Sequence, residues 1–166
     1  GSLHIVEHPL RPEFRDAAPT TGDAKRVRYV GVTEERKGIW DALAAFAQAA
    51  PSDWRRTVVG ASGAPHLTEL RRRLAAPELV SRITHHERLP AERIVQLMQA
   101  SSMFLLPTWV DTGPTTLKEA MAMGLWPVCF DNTGPAHYLR KFQFGTLARD
   151  LDRADLTDKL RQVFAS

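Results

Sequence analysis

Two carboxylates stand close together in residues 111–124, whose sequence is DTGPTTLKEAMAMG. Asp111 precedes a Gly-Pro pair, and Glu119 lies in the run LKEAMAMGLWPV, where Lys118 is the only other charged residue. Adjacent residues do not face each other on a helix, so Lys118 is a poor partner for Glu119. A carboxylate among apolar side chains is costly to bury without hydrogen bonds. Glu119 is therefore either solvated at the rim of a pocket or bound by a polar partner.

The same segment predicts a helix that begins near Pro114. The first N–H groups of a helix, here about Thr115 to Leu117, lack partners within the helix and suit a phosphate. Glu119 follows about five residues later, roughly 7–8 Å along the axis at 1.5 Å per residue. That distance is similar to the offset between the diphosphate and the ribose of a nucleotide. One hypothesis then explains both acids: Glu119 binds a ribose diol, the start of the helix binds the diphosphate, and Asp111 faces a group on the far phosphate.

A second phosphate candidate is GVTEERKG at residues 31–38, which follows a predicted strand and precedes a predicted helix. Lys37 could neutralise a diphosphate as a point charge. The alternative is a surface cluster of charges. The sequence contains neither GxxxxGK[ST] nor GxGxxG, so it predicts neither a P-loop nor a dinucleotide-binding fingerprint.

Other charged motifs favour structural roles. In THHE, residues 84–87, the adjacent His85 and His86 point to opposite sides of a strand, so no metal site is predicted. The run LRRRL, residues 70–74, indicates a solvated helix face, with contact to anionic lipid headgroups as the alternative. No nucleic-acid partner is predicted, because basic residues do not alternate with exposed aromatic residues.

The composition is that of a globular protein, with 166 residues, 43% hydrophobic and 25% charged residues and a net charge of +3. The apolar runs are too short to span a membrane. The single cysteine, Cys129, lies in an apolar run, which predicts a core position and fits a reducing compartment. Gly1 and Ser2 resemble the remains of a tag, and no initiator Met is present, so we expect a fragment of a longer protein.

The hydrophobic pattern predicts strands and helices that alternate along the chain about six times. Predicted strands cover 26–32, 56–63, 81–89, 102–107, 125–130 and 144–148, and predicted helices cover 38–50, 66–75, 90–101, 114–124, 135–141 and 153–165. Short, continuous apolar strands between helices predict an α/β fold, a Rossmann-like parallel sheet with helices on both faces. Residues 1–26 contain prolines without clear periodicity, which predicts a linker before a domain at 27–166. Ligands of such sheets bind at the carboxyl ends of the strands, so we expect the site in loops 31–38, 60–65, 86–90, 107–114 and 131–136.

Several segments of the sequence, taken in order, resemble the C-terminal, donor-nucleotide-binding domain of family 4 retaining glycosyltransferases. These enzymes have the two-domain GT-B architecture. The resemblance covers nearly the whole chain. It rests on YVGVTEERKGIWDALAAFA, RTVVGASG and above all LLPTWVDTGPTTLKEAMAMGLWPVCFDNTGP, which is similar to the family's segment of an acid, seven residues and a Glu. IVEHPLRPEF resembles the interdomain linker of the family.

The resemblance implies a function for individual residues. Asp111, Glu119 and Lys37 are implied as catalytic residues: Asp111 faces the donor sugar, Glu119 binds ribose and Lys37 binds the diphosphate. The implied nucleotide-binding residues also include Gly31, Arg88, Leu89, Gly113, Pro114, Thr115 and Thr116. The family implies a nucleotide-diphosphate sugar as donor, no cofactor and no metal. It also implies a glycan or lipid-linked acceptor bound by an N-terminal domain absent from this chain, and a cytoplasmic location with peripheral membrane contact allowed.

The sequence departs from the family pattern at several positions. Asp111 replaces a Glu, and Val32 stands where an Arg is usual. The family also has a glycine near the position of Glu87 and an acid near the position of His137. Two alternatives therefore stay open. One is a non-catalytic interaction domain with a degenerate nucleotide site, and the other is a nucleotide-sugar epimerase of GT-B fold.

Overall fold

The computed structural model describes residues 9–166, apart from the side chain of Thr133. Six strands and seven helices are assigned in this range. The strands are β1 Arg26–Val30, β2 Arg55–Val59, β3 Ile83–His86, β4 Met103–Leu105, β5 Trp126–Phe130 and β6 Thr146–Ala148. The helices are α1 Pro12–Arg15, α2 Ile39–Ala49, α3 Ala64–Leu74, α4 Ala91–Gln99, α5 Thr115–Ala122, α6 Thr133–Phe142 and α7 Arg153–Ala165.

The six strands form one parallel sheet in the order β3-β2-β1-β4-β5-β6. The chain moves outwards from β1 to β3, returns through α4 to pair β4 with β1, and then moves outwards in the other direction. The predicted α/β fold with a parallel sheet of about six strands is confirmed. This order places a topological switch between β1 and β4, where a crevice opens at the carboxyl ends of the strands.

Helices cover both faces of the sheet. Arg56 on β2 donates to the Ala42 carbonyl of α2, whereas Arg28 on β1 donates to the Leu97 carbonyl of α4. The register pairs Arg28 with Thr57, the neighbour of Arg56, so the two arginines point to opposite faces. Helices α2 and α4 therefore lie on opposite sides of the sheet, and α7 packs against α2.

The helices agree with their predicted positions to within about two residues, but several strands end earlier than predicted. The prediction extended the strand before Pro107 to residue 107, whereas β4 ends at Leu105. Leu106 is nevertheless only 2% exposed. Residues stay buried beyond the last residue of the strand. An apolar run in the sequence therefore does not show where the strand ends and a buried loop begins.

Residues 9–25 pack against the domain, although the sequence predicted only a linker there; residues 1–8 of that linker lie outside the described residues. Phe14 on α1 is 1% exposed and belongs to the hydrophobic core. The Thr20 amide donates to the Met123 carbonyl at 2.8 Å, and its hydroxyl donates to the Ser101 carbonyl at 2.6 Å. The sequence did not predict α1, because a four-residue helix is too short to show periodicity.

Several minor predictions can be placed on this fold. Cys129 is buried in β5, and burial raises the pKa of its thiol above the usual range. His85 is partly buried, and its Nε2 lies 2.9 Å from the carbonyl oxygen of Gly60. The arginines of α3 form exposed ion pairs with Glu69 and Glu87. Within residues 9–166, no helix combines the length and apolar character needed to cross a membrane.

Candidate functional site

The candidate site lies at the switch point, where the loop after β1 meets the loop after β4. The Trp109 amide donates to the Arg36 carbonyl at 2.9 Å, and the Thr108 hydroxyl donates to the same carbonyl at 3.1 Å. Gly38 makes the close approach possible. Its φ is +71°, and a Cβ there would lie 1.8 Å from the Pro107 carbonyl oxygen. Any other residue would push the two loops apart.

Lys37 and Asp111 form an ion pair across this junction, with side chains 20% and 12% exposed. Lys37 belongs to a short 3-10 helix, Glu35–Lys37, and Asp111 lies in the loop between β4 and α5. The Gly113 amide also donates to Asp111 Oδ1 at 3.2 Å. A cation and a carboxylate that are 74 residues apart in sequence thus meet at the edge of the sheet.

The start of α5 lies next to this pair. Pro114 is the N-cap and is buried, and the side chains of Thr115 and Thr116 are half-buried. The predicted set of three unpartnered amides needs one correction, because the Leu117 amide donates to the Pro114 carbonyl at 3.1 Å. The amides of Thr115 and Thr116 remain ahead of the helical hydrogen bonds and can bind an anion.

Glu119 is fully buried, with 0% of the residue exposed. The Arg11 guanidinium donates to both carboxylate oxygens, from Nε to Oε1 at 2.6 Å and from Nη2 to Oε2 at 3.0 Å. The alternative of a solvated Glu119 at a pocket rim is therefore wrong, and the polar partner is Arg11. The hydrogen bond to Glu119 is the main reason why the pKa of Arg11 is raised above its ordinary value.

The remaining predicted residues, Gly31, Arg88 and Leu89, lie at the same edge of the sheet but do not contact Asp111 or Glu119. The Gly31 amide extends the sheet by donating to the Val59 carbonyl at 3.0 Å. Arg88 follows β3 and is exposed, and in the described part of the chain no hydrogen bond or ion pair involves it. Leu89 is half-buried and packs against the core.

Three of the positions that depart from the family pattern, Val32, Glu87 and His137, are exposed. Val32, two residues after β1, is 38% exposed. Arg36, the nearby cation that could replace the missing arginine, donates from Nε to Glu34 at 3.1 Å in an exposed ion pair. His137 lines a cavity of about 590 Å³ together with Asn132, Ala136, Arg140 and Lys141. That cavity borders the Asp111 loop, because Gly134 of α6 packs against the Asp111 carbonyl.

Sequence reasoning missed two parts of this region. Arg11 lies in the predicted linker, and nothing in its sequence context links it to a residue 108 positions away. Asp41 on α2 is 5% exposed and accepts from Trp109 Nε1 and Arg153 Nε, both at 2.8 Å. Its charge within the apolar run IWDALAAF was a usable signal, since a buried carboxylate needs partners. Among residues 9–166, no group of three His, Cys, Asp or Glu side chains is arranged to hold a metal ion.

Comparisons with known proteins agree with this architecture. The family model described as glycosyl transferases group 1 matches residues 11–166. No similarity to a curated protein sequence is significant. Among solved structures, sucrose-phosphate synthase from Thermosynechococcus elongatus is 20% identical with a TM-score of 0.80, over 95% of this chain and 43% of that chain.

Two further structures show the same fold. WaaG, a glycosyltransferase involved in lipopolysaccharide biosynthesis, is 19% identical with a TM-score of 0.80, over 98% of this chain and 47% of its own. Anabaena Alr3699/HepE in complex with UDP and glucose is 20% identical with a TM-score of 0.72, over 84% of this chain and 38% of its own. This chain thus spans less than half of each of these proteins. Because the family model covers nearly all of it, the chain belongs to the glycosyl transferases group 1 family.

Proposed function

We propose that this chain is the C-terminal, donor-nucleotide-binding domain of a family 4 retaining glycosyltransferase. The observation that carries the proposal is the convergence of Lys37, Asp111 and the start of α5 at the switch point of the sheet. Parallel sheets bind their ligands at this point. Family membership supports the same assignment, as do solved structures of the same fold whose names record UDP and glucose or UDP-glucose as ligands.

The donor would be a nucleotide-diphosphate sugar. Glu119 would accept hydrogen bonds from the two ribose hydroxyls. Lys37 and the amides of Thr115 and Thr116 would bind the diphosphate, and Asp111 would face the sugar. Arg88 and Leu89, at the end of β3, would pack against the base.

The reaction breaks the bond between the anomeric carbon and the oxygen of the far phosphate. Negative charge then develops on the leaving nucleotide diphosphate. Lys37 and the positive end of the α5 dipole would stabilise that charge in a site already arranged to receive it. No metal and no cofactor are part of the proposal, because the cation and the helix start supply the positive potential. The oxygen of the acceptor hydroxyl bonds to the anomeric carbon with retention of configuration, and its proton passes to the phosphate oxygen of the leaving nucleotide diphosphate.

The acceptor would bind to an N-terminal domain outside this chain. The acceptor is proposed to be a glycan or a lipid-linked sugar in glycan, polysaccharide or lipopolysaccharide biosynthesis, in the cytoplasm and with peripheral contact to the inner face of the membrane. On this proposal the chain by itself binds a nucleotide and transfers little or no sugar. Sugar transfer by the purified chain would contradict that division of labour.

A non-catalytic domain with a degenerate nucleotide site is the second candidate. Two observations favour it. Val32 supplies no positive charge to a diphosphate, and both Asp111 and Glu119 already have cationic partners within the chain. This candidate predicts no measurable affinity for any nucleoside diphosphate.

Calorimetric titration with UDP, GDP and ADP separates the two candidates. If the site binds a donor, one diphosphate binds and Glu119→Ala weakens it by about 1.5–3 kcal/mol, roughly 10- to 150-fold, because a charged group loses its hydrogen bonds to ribose. Glu92→Ala is the matched control, since Glu92 is an exposed carboxylate on α4. Absence of binding, or an equal effect of both substitutions, would favour the degenerate site.

A further inference from the structure

Glu119 cannot receive a ribose in the conformation that the structure shows. Its side chain is 0% exposed, and the Arg11 guanidinium occupies both of its oxygens with charged hydrogen bonds of 2.6 and 3.0 Å. Ribose hydroxyls would have to bind to these same two oxygens. The guanidinium and the diol therefore compete for one carboxylate.

We propose that Arg11 competes with the donor for Glu119. The Arg11 guanidinium occupies the carboxylate that would bind ribose until a nucleotide displaces it. This inference rests on the proposed function of Glu119 as the ribose-binding residue. The inference assigns to Arg11, in the segment before β1, the role of regulating access of the nucleotide to Glu119. Neither the family pattern nor the sequence spacing assigns such a role to Arg11.

The contacts of Arg11 allow its side chain to leave without unfolding the segment. Its side chain is 44% exposed, so the guanidinium can turn into water. The backbone is held separately, because the Arg11 carbonyl accepts from the amides of Phe14 and Arg15 at 3.0 and 3.1 Å. Phe14 is buried in the core and anchors α1. The guanidinium also lies over the Phe14 ring, 4.6 Å from its centroid. Displacement therefore requires rotation of one long side chain away from Glu119 and from this ring, and α1 stays in place.

The exchange lowers the apparent affinity for the donor. Charged bidentate hydrogen bonds between arginine and a carboxylate are stronger than the bonds from neutral hydroxyls that would replace them. The intrinsic affinity is reduced by the fraction of molecules in which Arg11 has already left Glu119. Removal of the Arg11 side chain should therefore tighten nucleotide binding, although it also removes a positive charge that would otherwise attract a diphosphate.

The test is titration of the purified chain with UDP, GDP and ADP, comparing wild type, Arg11→Ala, Arg11→Gln and Arg15→Ala at one ionic strength. Arg15 is the matched control, because it is an exposed arginine at the end of α1, the helix that Arg11 precedes, and it pairs with Asp16. Arg11→Gln covers the case in which Arg11→Ala fails to fold, since glutamine can still donate a neutral hydrogen bond to Glu119. Circular dichroism and urea unfolding show which variants are folded.

We expect Arg11→Ala to bind the nucleotide about 10-fold more tightly than wild type, because the variant no longer has to displace a guanidinium from Glu119. Arg11→Gln should change the affinity in the same direction by less, and Arg15→Ala should leave it unchanged. Detectable binding only after substitution of Arg11 also supports competition. Unchanged or weaker binding by folded Arg11 variants would overturn the proposed competition. If the wild type binds a diphosphate in that case and Glu119→Ala weakens the binding, the proposed function stands without the competition. If neither wild type nor any folded variant binds a diphosphate, both proposals fail.

Discussion

At the carboxyl edge of the sheet, Lys37 and Arg11 each bind a carboxylate, whereas the cations in the interior do not. Arg28 and Arg56 are 1% exposed, and in the described part of the chain neither takes part in an ion pair. Arg28 donates to the Leu97 carbonyl and the Ser101 hydroxyl, both at 2.6 Å, and Arg56 donates to one carbonyl of α2. Two nitrogens of each guanidinium have no hydrogen-bond partner.

The two regions treat positive charge in opposite ways. Desolvation is the main reason why the pKa of Arg28 is lowered to about 10 and that of Arg56 to about 9, because no core carboxylate among residues 9–166 pairs with the buried charge. At the edge, each cation is partly exposed and pairs with a carboxylate, and on the proposed function these bonds are exchanged for bonds to a ligand. The charges with a proposed role in the site are therefore partly exposed and paired with a carboxylate, whereas the interior charges are desolvated and have no ion-pair partner in the described part of the chain.

The largest expected effect comes from the interior. Arg56→Met should raise the free energy of unfolding by about 1–4 kcal/mol at pH 7, because replacing buried charges by apolar side chains of similar size is often stabilising. Burial lowers the pKa of Arg56 from its ordinary value to about 9 in the folded protein, so above about pH 9 the unfolded chain binds more protons than the folded protein. The cost of the charge is thus fully present below pH 9 and decreases as the pH rises above it.

Urea unfolding of wild type and Arg56→Met at pH 7 and pH 10 measures this difference. The advantage of the Met variant should be smaller at pH 10. Arg55→Met is the control, because Arg55 is exposed and its substitution should change stability by less than about 0.5 kcal/mol. A destabilised Arg56→Met at pH 7 would show that the hydrogen bond to Ala42 outweighs the cost of burying the charge.

At the edge, Lys37→Met should weaken diphosphate binding by about 1.5–3 kcal/mol. The variant loses a charged hydrogen bond to phosphate and leaves Asp111 without its Lys37 partner next to an anionic ligand. Affinity for the nucleoside without phosphates should not change. Calorimetry with both ligands checks this, with Lys25→Met as the control, because Lys25 is an exposed lysine paired with Asp53. Equal losses for nucleoside and diphosphate would place Lys37 outside the phosphate site.

The smallest effect is expected on α3. Arg71→Ala should change the free energy of unfolding by less than about 0.5 kcal/mol, because both members of its ion pair with Glu87 are exposed, at 66% and 48%. Thermal or urea unfolding measures this value. The same variant tests the alternative of lipid contact. Weaker sedimentation with vesicles of anionic phospholipid would show that the arginines of α3 meet a membrane surface.

Local sequence patterns predicted most of the fold. The run that precedes Pro107 predicted a buried strand, and PTTLKEAMAMG predicted the helix that became α5. Both predictions rest on interactions between near neighbours, namely hydrophobic period and helix-start residues. The candidate residues Lys37, Asp111 and Glu119 were also found by type and spacing. Their proposed roles in ligand binding and catalysis remain predictions.

The sequence by itself determined the order of the elements, the parallel sheet and the chemistry available at its edge. It did so because periodicity, turn residues and the position of charges are local properties of the chain. Only the tertiary structure decided which charges meet. Arg11 reaches Glu119 across 108 positions and Lys37 reaches Asp111 across 74, because the switch between β1 and β4 and the packing of α1 on α5 bring them together. The partner of a buried charge depends on contacts between distant elements, and no local pattern encodes them.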